Sequence, residues 1–279
     1  MAELVNQIVL ITGCSSGIGY VTAKELSRRG HRVICSARKP EDVSRLRAEG
    51  FECLCLDLAD SASIRAAVDA LHELTGGKLD AVFHNGAYGQ PGAVEDLSRD
   101  ALRRQFETNV FGWHELTNLL LPAMRRQGHG RIVYNSSILG FVAMKYRGAY
   151  NASKFALEGL VDTLRLELRG SGVHVSLVEP GPIVSRFREN AMRMYLQNID
   201  PERSVHRETY RAMEARLQKP GPAAPFTLPA EAVAKKVAHA IESRHPRIRY
   251  PVTFPTYLFG VLKRLLPAAW LDKILASVE

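Results

Sequence analysis

Gln7-Ile8-Val9-Leu10-Ile11-Thr12 runs straight into Gly13-Cys14-Ser15-Ser16-Gly17-Ile18-Gly19. The first stretch is aliphatic and β-branched on consecutive positions and is bounded by glycine, which predicts a strand buried on both faces. The residues that follow, about 18–29, carry their apolar side chains at helical period. Glycines between a strand and a helix allow a tight turn and let a pyrophosphate approach the backbone. The first helical turn then offers that anion unpaired N–H groups and the positive end of the helix dipole. The unit therefore predicts a dinucleotide site, with Gly13, Ser15, Ser16, Gly17, Ile18 and Gly19 as its cradle.

The same alternation continues along the chain. Strand-length apolar runs occupy 7–12, 32–37, 51–56, 79–84, 130–136, 173–179 and 248–252, and helical patterns lie near 18–29, 40–49, 61–74, 98–127, 149–169 and 229–243. Buried strands alternating with helices predict right-handed βαβ units. The fold class is α/β, a Rossmann-type doubly wound parallel sheet of about seven strands with helices on both faces. No Gly-, Ser- or Pro-rich linker precedes residue 219, so a single domain over 1–279 is expected. Residues 186–218 interrupt the alternation with a charged segment of helical period carrying Met192, Met194, Tyr195, Leu196, Met213 and Leu217, and 219–225 is rich in proline and must be irregular. An apolar stripe there could line a lid or pack onto the core.

Tyr150 and Lys154 are four residues apart on a predicted helix and share a face. Ser137 lies at the end of the fifth strand, thirteen residues before Tyr150. A phenol is too weak an acid at neutral pH to protonate a nascent alkoxide unless its ionised form is stabilised. A neighbouring ammonium supplies that stabilisation, and a serine hydroxyl supplies a second donor. Together with the glycine loop, Ser137-Tyr150-Lys154 resembles the short-chain dehydrogenase/reductase family in its single-domain branch, from about Gln7 to Ser185. The chain is similar to hydroxysteroid/retinol dehydrogenase-like members and to bacterial aldehyde reductases.

The resemblance implies further positions. Asn109, in Thr108-Asn109-Val110-Phe111-Gly112, matches the family's helix asparagine, which positions a water in a proton relay from the lysine; Lys154 also holds the nicotinamide ribose. Asp57-Leu58 matches the adenine-side position. Asn85-Gly86-Ala87 matches the segment after the fourth strand, although His84 stands where the family usually has a first asparagine and the Ala-Gly order is inverted. Pro180, Gly181, Ile183 and Ser185 match the Pro-Gly segment facing the nicotinamide amide, with Ser185 in place of threonine. In the family the 186–225 insertion covers the substrate, and the long helices near 98–127 and 149–169 pair subunits, so a homodimer or homotetramer is expected.

The end of the second strand selects the dinucleotide. NAD-preferring enzymes carry an acid there for the ribose 2′-hydroxyl. Here the stretch reads Cys35-Ser36-Ala37-Arg38-Lys39. A guanidinium with no adjacent acid suits a 2′-phosphate, so NADP(H) is expected, with Arg38 and Ser15 on the phosphate. Around the reacting centre, Ile138, Leu139, Phe141, Val142, Met144, Tyr88 and Pro91 predict an apolar lining with little fixed charge. The partner is then a small hydrophobic carbonyl or alcohol: an aldehyde, retinal or a keto-steroid. A non-catalytic NADP(H)-binding sensor or scaffold is the alternative, although such proteins lose the Tyr or Lys.

Bulk properties narrow the class. Of the net charge of +8, residues 1–185 contribute 21 Lys+Arg against 20 Asp+Glu, and residues 186–279 contribute 16 against 9. That basic third lacks any nucleic-acid-binding signature, so nucleic acid is not an expected partner. The tail from about 253 to 279 has two apolar segments with Lys263, Arg264 and Lys273, which suits peripheral membrane contact. There is no signal-peptide pattern, and no run of about 18 apolar residues. Cys14, Cys35, Cys53 and Cys55 are expected as buried, reduced thiols in a cytoplasmic protein. The histidines have no metal-site spacing, so no metal is expected.

Overall fold

The structure, a computed structural model, describes residues 4–219, 221–222 and 224–277. Pro220 and Ala223 of the expected irregular stretch, and Val278 and Glu279 of the expected tail, lie outside the described residues. Seven strands form one parallel sheet: β1 (Ile8–Ile11), β2 (Arg32–Ala37), β3 (Glu52–Cys55), β4 (Ala81–His84), β5 (Gly130–Asn135), β6 (Val173–Glu179) and β7 (Arg249–Pro251). Their order is β3-β2-β1-β4-β5-β6-β7. The chain reverses its direction of winding between β1 and β4, and a crevice opens at the carboxyl ends of these two strands.

Alternate strand residues feed two separate cores. Leu10, Val82 and Ile132 pack with α3 (Ser61–Thr75), α5 (Gly112–Gln127) and α6 (Gly148–Glu167) through Leu71, Trp113, Leu116 and Leu157. Val9, Ile11 and Phe83 face α1 (Gly17–Arg28), α2 (Pro40–Ala48) and α9 (Glu231–Glu242) through Leu26, Leu46, Val237 and Ile241. This is the period-two partition of a strand covered on both sides, and it is why the strands read as continuous apolar runs.

The helix expected over 98–127 is three pieces: α4 (Arg99–Phe106), a π-helical turn (Glu107–Phe111) and α5. The wider turn precedes the place where α5 meets the loop after β3. There Gly112 packs so tightly that an added Cβ would fall 3.0 Å from Leu58 Cβ. The same turn buries Asn109 and Val110; π turns of this kind are frequent at functional sites.

After β6 the interruption is helical, as α7 (Phe187–Asn198) and α8 (Arg207–Gln218) joined by a short 3₁₀ turn. These helices have a small core of their own, in which Tyr195, Tyr210 and Ile199 close on Ala93, with Met192 and Met213 at its margin. Ile183 and Leu228 bridge the two ends of the segment, Val184 N donating to Leu228 O at 2.9 Å. The tail forms α10 (Phe254–Leu265) and α11 (Ala268–Ala276). All four thiols are free. Cys14, Cys35 and Cys53 are buried as expected, but Cys55 is exposed, because it ends β3 at the sheet edge where no further strand covers it.

Candidate active site

The glycine loop closes against the loop after β4. Gly13 and Gly17 have φ of +72° and +58°, a conformation that side chains rarely adopt. A Cβ on Gly13 would lie 2.6 Å from Gly86 Cα, and one on Gly19 would lie 2.6 Å from Asn85 Nδ2. Glycine at position 86 lets the two loops meet, so the inverted Gly86-Ala87 order is accommodated. Asn85 locks the contact: its side-chain amide donates to Thr12 O (3.1 Å) and Gly13 O (3.2 Å) and accepts from Asn135 Nδ2 (2.9 Å). Thr12 Oγ1 accepts from the backbone N–H groups of Asn85 and Gly86. Ala87 packs on the adjacent core.

At the mouth of this loop Ser16 is the N-cap of α1 and makes no side-chain capping bond. Twelve helical residues follow it, so the unpaired N–H groups of a complete helix start face the crevice. Gly17 lies against Ser185, whose Cβ would be 3.1 Å from a Cβ added there. The Pro180–Ser185 segment thus reaches the glycine loop. A cradle of glycines that side chains would fill, beside an uncapped helix start, fits a dinucleotide pyrophosphate.

The adenine-side positions fall as follows. Arg38 is exposed directly after β2, and among the described residues no carboxylate pairs with it. Arg45, which the sequence reading passed over, donates from Nη2 to the Ser15 carbonyl at 2.7 Å and so fixes the loop next to Arg38's end of the crevice. Asp57 accepts from Ala59 N at 3.0 Å, while Leu58 is buried under Gly86 and Gly112. Ile18 packs on the α1-side core.

Ser137 follows β5, and Tyr150 and Lys154 lie one turn apart on α6. The Ser137 hydroxyl donates to Pro180 O at 3.4 Å, accepts from Leu139 N at 3.1 Å, and is near enough to the Tyr150 phenol to favour its ionised form. Ser136 faces away and donates to Glu158, as alternation along an extended chain requires. Burial pushes the Tyr150 hydroxyl up to about 12, opposed by the Ser137 hydrogen bond and by the positive charge of Arg147. Lys154 is buried; its ammonium donates to Asn135 O at 2.7 Å and lies 4.3 Å from the Trp113 ring centroid. Burial draws it down to about 7, against the opposing charge of Glu158. Asn109 clamps the backbone of Tyr88, accepting from its N–H at 3.2 Å and donating to its carbonyl at 2.9 Å, and also donates to Ser153 Oγ at 3.3 Å.

Three further residues complete the site without having announced themselves. Asn135 ties Lys154 to Asn85 through its carbonyl and its amide. Phe187, at the start of α7, sets its ring edge-on to Tyr150 with centroids 5.3 Å apart. Arg147, three residues before Tyr150, carries a positive charge felt by the phenol, and among the described residues its side chain donates to Met144 Sδ at 3.7 Å. Asn135 and Arg147 lie two and three residues before Ser137 and Tyr150, and that nearness to the motif was the available signal. Phe187 carries none. By contrast, Tyr195, Met192 and Met213 fill the core of the inserted segment, and Leu196 faces solvent.

A glycine cradle at the switch point of a doubly wound sheet, beside a Ser-Tyr-Lys group, defines an NAD(P)-binding oxidoreductase. Residues 7–195 match the profile of the short chain dehydrogenase family, and the chain belongs to that family. It is 45% identical over 273 residues to the uncharacterized oxidoreductase YbbO of Escherichia coli K12, covering 98% of this chain and 95% of that protein. It is 32% identical over 253 residues to retinol dehydrogenase 8 of Bos taurus, covering 86% and 80%. A crystal structure of a short chain dehydrogenase/reductase from Burkholderia phymatum in complex with NAD superposes with a TM-score of 0.79 at 25% identity, over 94% of this chain and 93% of that one.

Proposed function

We propose that the protein is an NADP(H)-dependent carbonyl reductase, reversible as an alcohol dehydrogenase, acting on a hydrophobic aldehyde or ketone of the retinal, long-aldehyde or keto-steroid class. The observation that carries this reading is Tyr150 and Lys154 one turn apart on α6, the ammonium 5.7 Å from the phenol ring centroid, with Ser137 at the end of β5 and the glycine cradle on the same crevice. When bound, a reduced nicotinamide supplies a hydride to the carbonyl carbon. Ser137 donates a hydrogen bond to the carbonyl oxygen, and Tyr150 passes its proton there as the alkoxide forms. Lys154 and Arg147 stabilise the phenolate left behind, and Asn109, anchored on the Tyr88 backbone, is given the family asparagine's part of positioning a water that links Lys154 to solvent.

Ala37 and the unpaired Arg38 and Ser15, backed by Arg45, support a preference for the 2′-phosphate even though the related Burkholderia phymatum enzyme holds NAD. Phe187 over Tyr150 supports an apolar substrate and gives the segment 186–225 the part of a lid. The whole chain is read as one functional domain. Exposed Leu102, Phe111, Phe155, Leu160 and Leu166 on α4 to α6 support a homodimer or homotetramer through those helices. Exposed Tyr257, Val261, Leu265 and Trp270 with Lys263 and Arg264 support peripheral membrane contact by α10 and α11; equal, negligible pelleting of the full-length and 1–252 proteins with liposomes would reject it. The free thiols support a cytoplasmic protein.

The test is oxidation of NADPH, and separately of NADH, across short and long aldehydes, retinal, keto-steroids, sugars and keto acids. The reading expects turnover of apolar carbonyls with NADPH, lost by about a thousandfold or more in Tyr150→Phe while NADPH still binds. Full activity in Tyr150→Phe would reject the proton-donor role. Tight NADPH binding without turnover of any carbonyl would favour the sensor reading.

A further inference from the structure

Behind Lys154, away from the crevice, α6, β5, β6 and β7 enclose a cluster of charges that the reaction just described does not use. Its centre is Arg249, which opens β7. Arg249 Nη1 donates to Glu158 and, at 2.6 Å, to Glu179 Oε1; Nη2 donates to Asp162 Oδ2 at 2.6 Å. Glu158 receives a further hydrogen bond from the Ser136 hydroxyl, and Asp162 one from Arg165 Nη2 at 3.1 Å. Glu158 and Glu179 are buried. A lone buried carboxylate costs far more than a surface one, so a guanidinium that binds three is the condition for their ionised forms to persist here. The packing is tight. A Cβ on Gly140 would fall 2.7 Å from Ser136 Oγ and 2.9 Å from Glu158 Cγ.

Three members of this cluster, Glu158, Ser136 and Glu179, adjoin the candidate site. Glu158 is one helical turn after Lys154 and on the same face. Ser136 precedes Ser137, and Glu179 immediately precedes Pro180-Gly181. We propose that Glu158, held in place by Arg249 and Ser136, is a positioning residue that supplies the negative charge behind the Lys154 ammonium and thereby sets the pH range over which that lysine serves the reaction. The inference rests on the reading of Lys154 given under the proposed function.

Electrostatics give the sign. Burial opposes the charged form of Lys154, and Glu158 is the group that offsets it. Burial also raises the Glu158 carboxyl, and Ser136 and Arg249 are what hold it down. Glu179 competes for the same guanidinium nitrogen. Burial and the charge of Glu158 push it up to about 7, so below that pH it is largely neutral and leaves Arg249 to Glu158. The other charged or titratable groups facing the pair are Tyr150, Asp162 and Arg165 on α6. Across Trp113 lies His84 of β4, which burial draws down to about 3 and keeps neutral. Removing the charge of Glu158 therefore deprotonates Lys154 at lower pH.

The experiment compares wild type, Glu158→Gln, Arg249→Met and Arg249→Lys in two measurements against pH: kcat for reduction of the best carbonyl, and NADPH affinity by fluorescence. In Glu158→Gln the midpoint attributed to Lys154 is expected to move about half to one unit to lower pH in both. Arg249→Met is expected to move it in the same direction, because an unpaired Glu158 takes up a proton. Arg249→Lys is expected to restore the wild-type midpoint. If Arg249→Met does not fold, the isosteric Glu158→Gln carries the test alone. Wild-type midpoints in Glu158→Gln, with only a lower melting temperature, would overturn the inference. Absence of wild-type turnover would instead overturn the reading of the function, and the NADPH-binding profile would still report on Glu158.

Discussion

The two walls of the crevice are built differently. The dinucleotide wall is backbone: Gly13 and Gly19 approach other backbone within distances no side chain tolerates, Gly17 has the positive φ that favours glycine, and Thr12, Asn85 and Asn135 tie that backbone together. The side that the proposed function gives to the substrate is side chains of the inserted segment, with Phe187 of α7 at Tyr150; the segment is tied in by the Ile183–Leu228 bridge and by a small core around Tyr195 and Tyr210. Tyr210 Oη accepts from Ala93 N at 2.9 Å and donates to Asp96, so polar contacts position this wall as much as apolar ones do. A wall made of backbone admits few residue types at each point. A wall made of side chains can be rebuilt for another substrate without disturbing the sheet.

The largest effect should come from breaking the backbone wall. In Gly19→Ala the new methyl would meet the Gly13 carbonyl, a neighbour that cannot swing aside, and Asn85 Nδ2 at 2.6 Å. A loss of dinucleotide affinity of about a hundredfold, or ~3 kcal/mol, is expected by calorimetry, with a lower melting temperature. Unchanged affinity would show that the loops are not as closely joined as their contacts indicate. Arg38→Asp tests the rim of the same wall. Exchange of a charge-assisted contact for a repulsive one should shift the NADPH-to-NADH ratio of kcat/KM by about ten- to a hundredfold. An unmoved ratio would assign the phosphate elsewhere, with Arg45 the nearest candidate.

On the substrate wall the expected effect is smaller. Phe187→Ala removes the ring that covers Tyr150 and should lower kcat/KM for a bulky apolar carbonyl by about tenfold, while leaving a two-carbon aldehyde and the dinucleotide Kd nearly unchanged. An equal loss for both aldehydes would mean that Phe187 positions Tyr150 rather than shaping the pocket.

The same contrast explains what could be read from the chain beforehand. The first six strands were legible because consecutive burial leaves apolar runs, β7 only as the short mixed run 248–252 at the sheet edge, and the cradle was legible because close backbone approach demands glycine at fixed intervals. The π turn at Glu107–Phe111 was not, since one extra residue in a turn hardly disturbs the apolar period on either side. Tyr195 and Met213 read equally well as pocket or core, because helical period says which residues share a face and not what that face meets. Arg249 and Glu158 are ninety-one residues apart, and no local pattern joins a short last strand to the helix of Tyr150.

His84 tests whether even the legible wall contains a private solution. It replaces an asparagine usual in the family and stacks on both Tyr134 and Trp113, with ring centroids at 4.7 and 5.7 Å, in a three-ring cluster whose other two members are 6.1 Å apart. Thr117 Oγ1 donates to Trp113 O at 2.8 Å, so its lone pairs are left for His84 Nε2 at 3.0 Å and for the Tyr134 hydroxyl. This arrangement needs a proton on Nε2, and Nδ1, buried without a partner among the described residues, has nothing to accept a hydrogen bond from a second one. Burial draws the ring down to about 3, well below the value of an unfolded chain. The unfolded state therefore binds a proton that the folded state refuses as pH falls below about 6.5. The stabilisation is present above that pH and decreases below it, by about 1.4 kcal/mol one unit down. In a protein of this size that corresponds to a fall in melting temperature of roughly 2 °C. His84→Asn should remove this part of the acid sensitivity whatever its effect on stability at neutral pH, so the difference in melting temperature between about pH 7.5 and pH 5.5 should narrow by that amount. An identical pH dependence in the two proteins would mean that the buried ring accepts its proton in place. The aromatic cluster behind the cradle would then be more open to water than its packing implies.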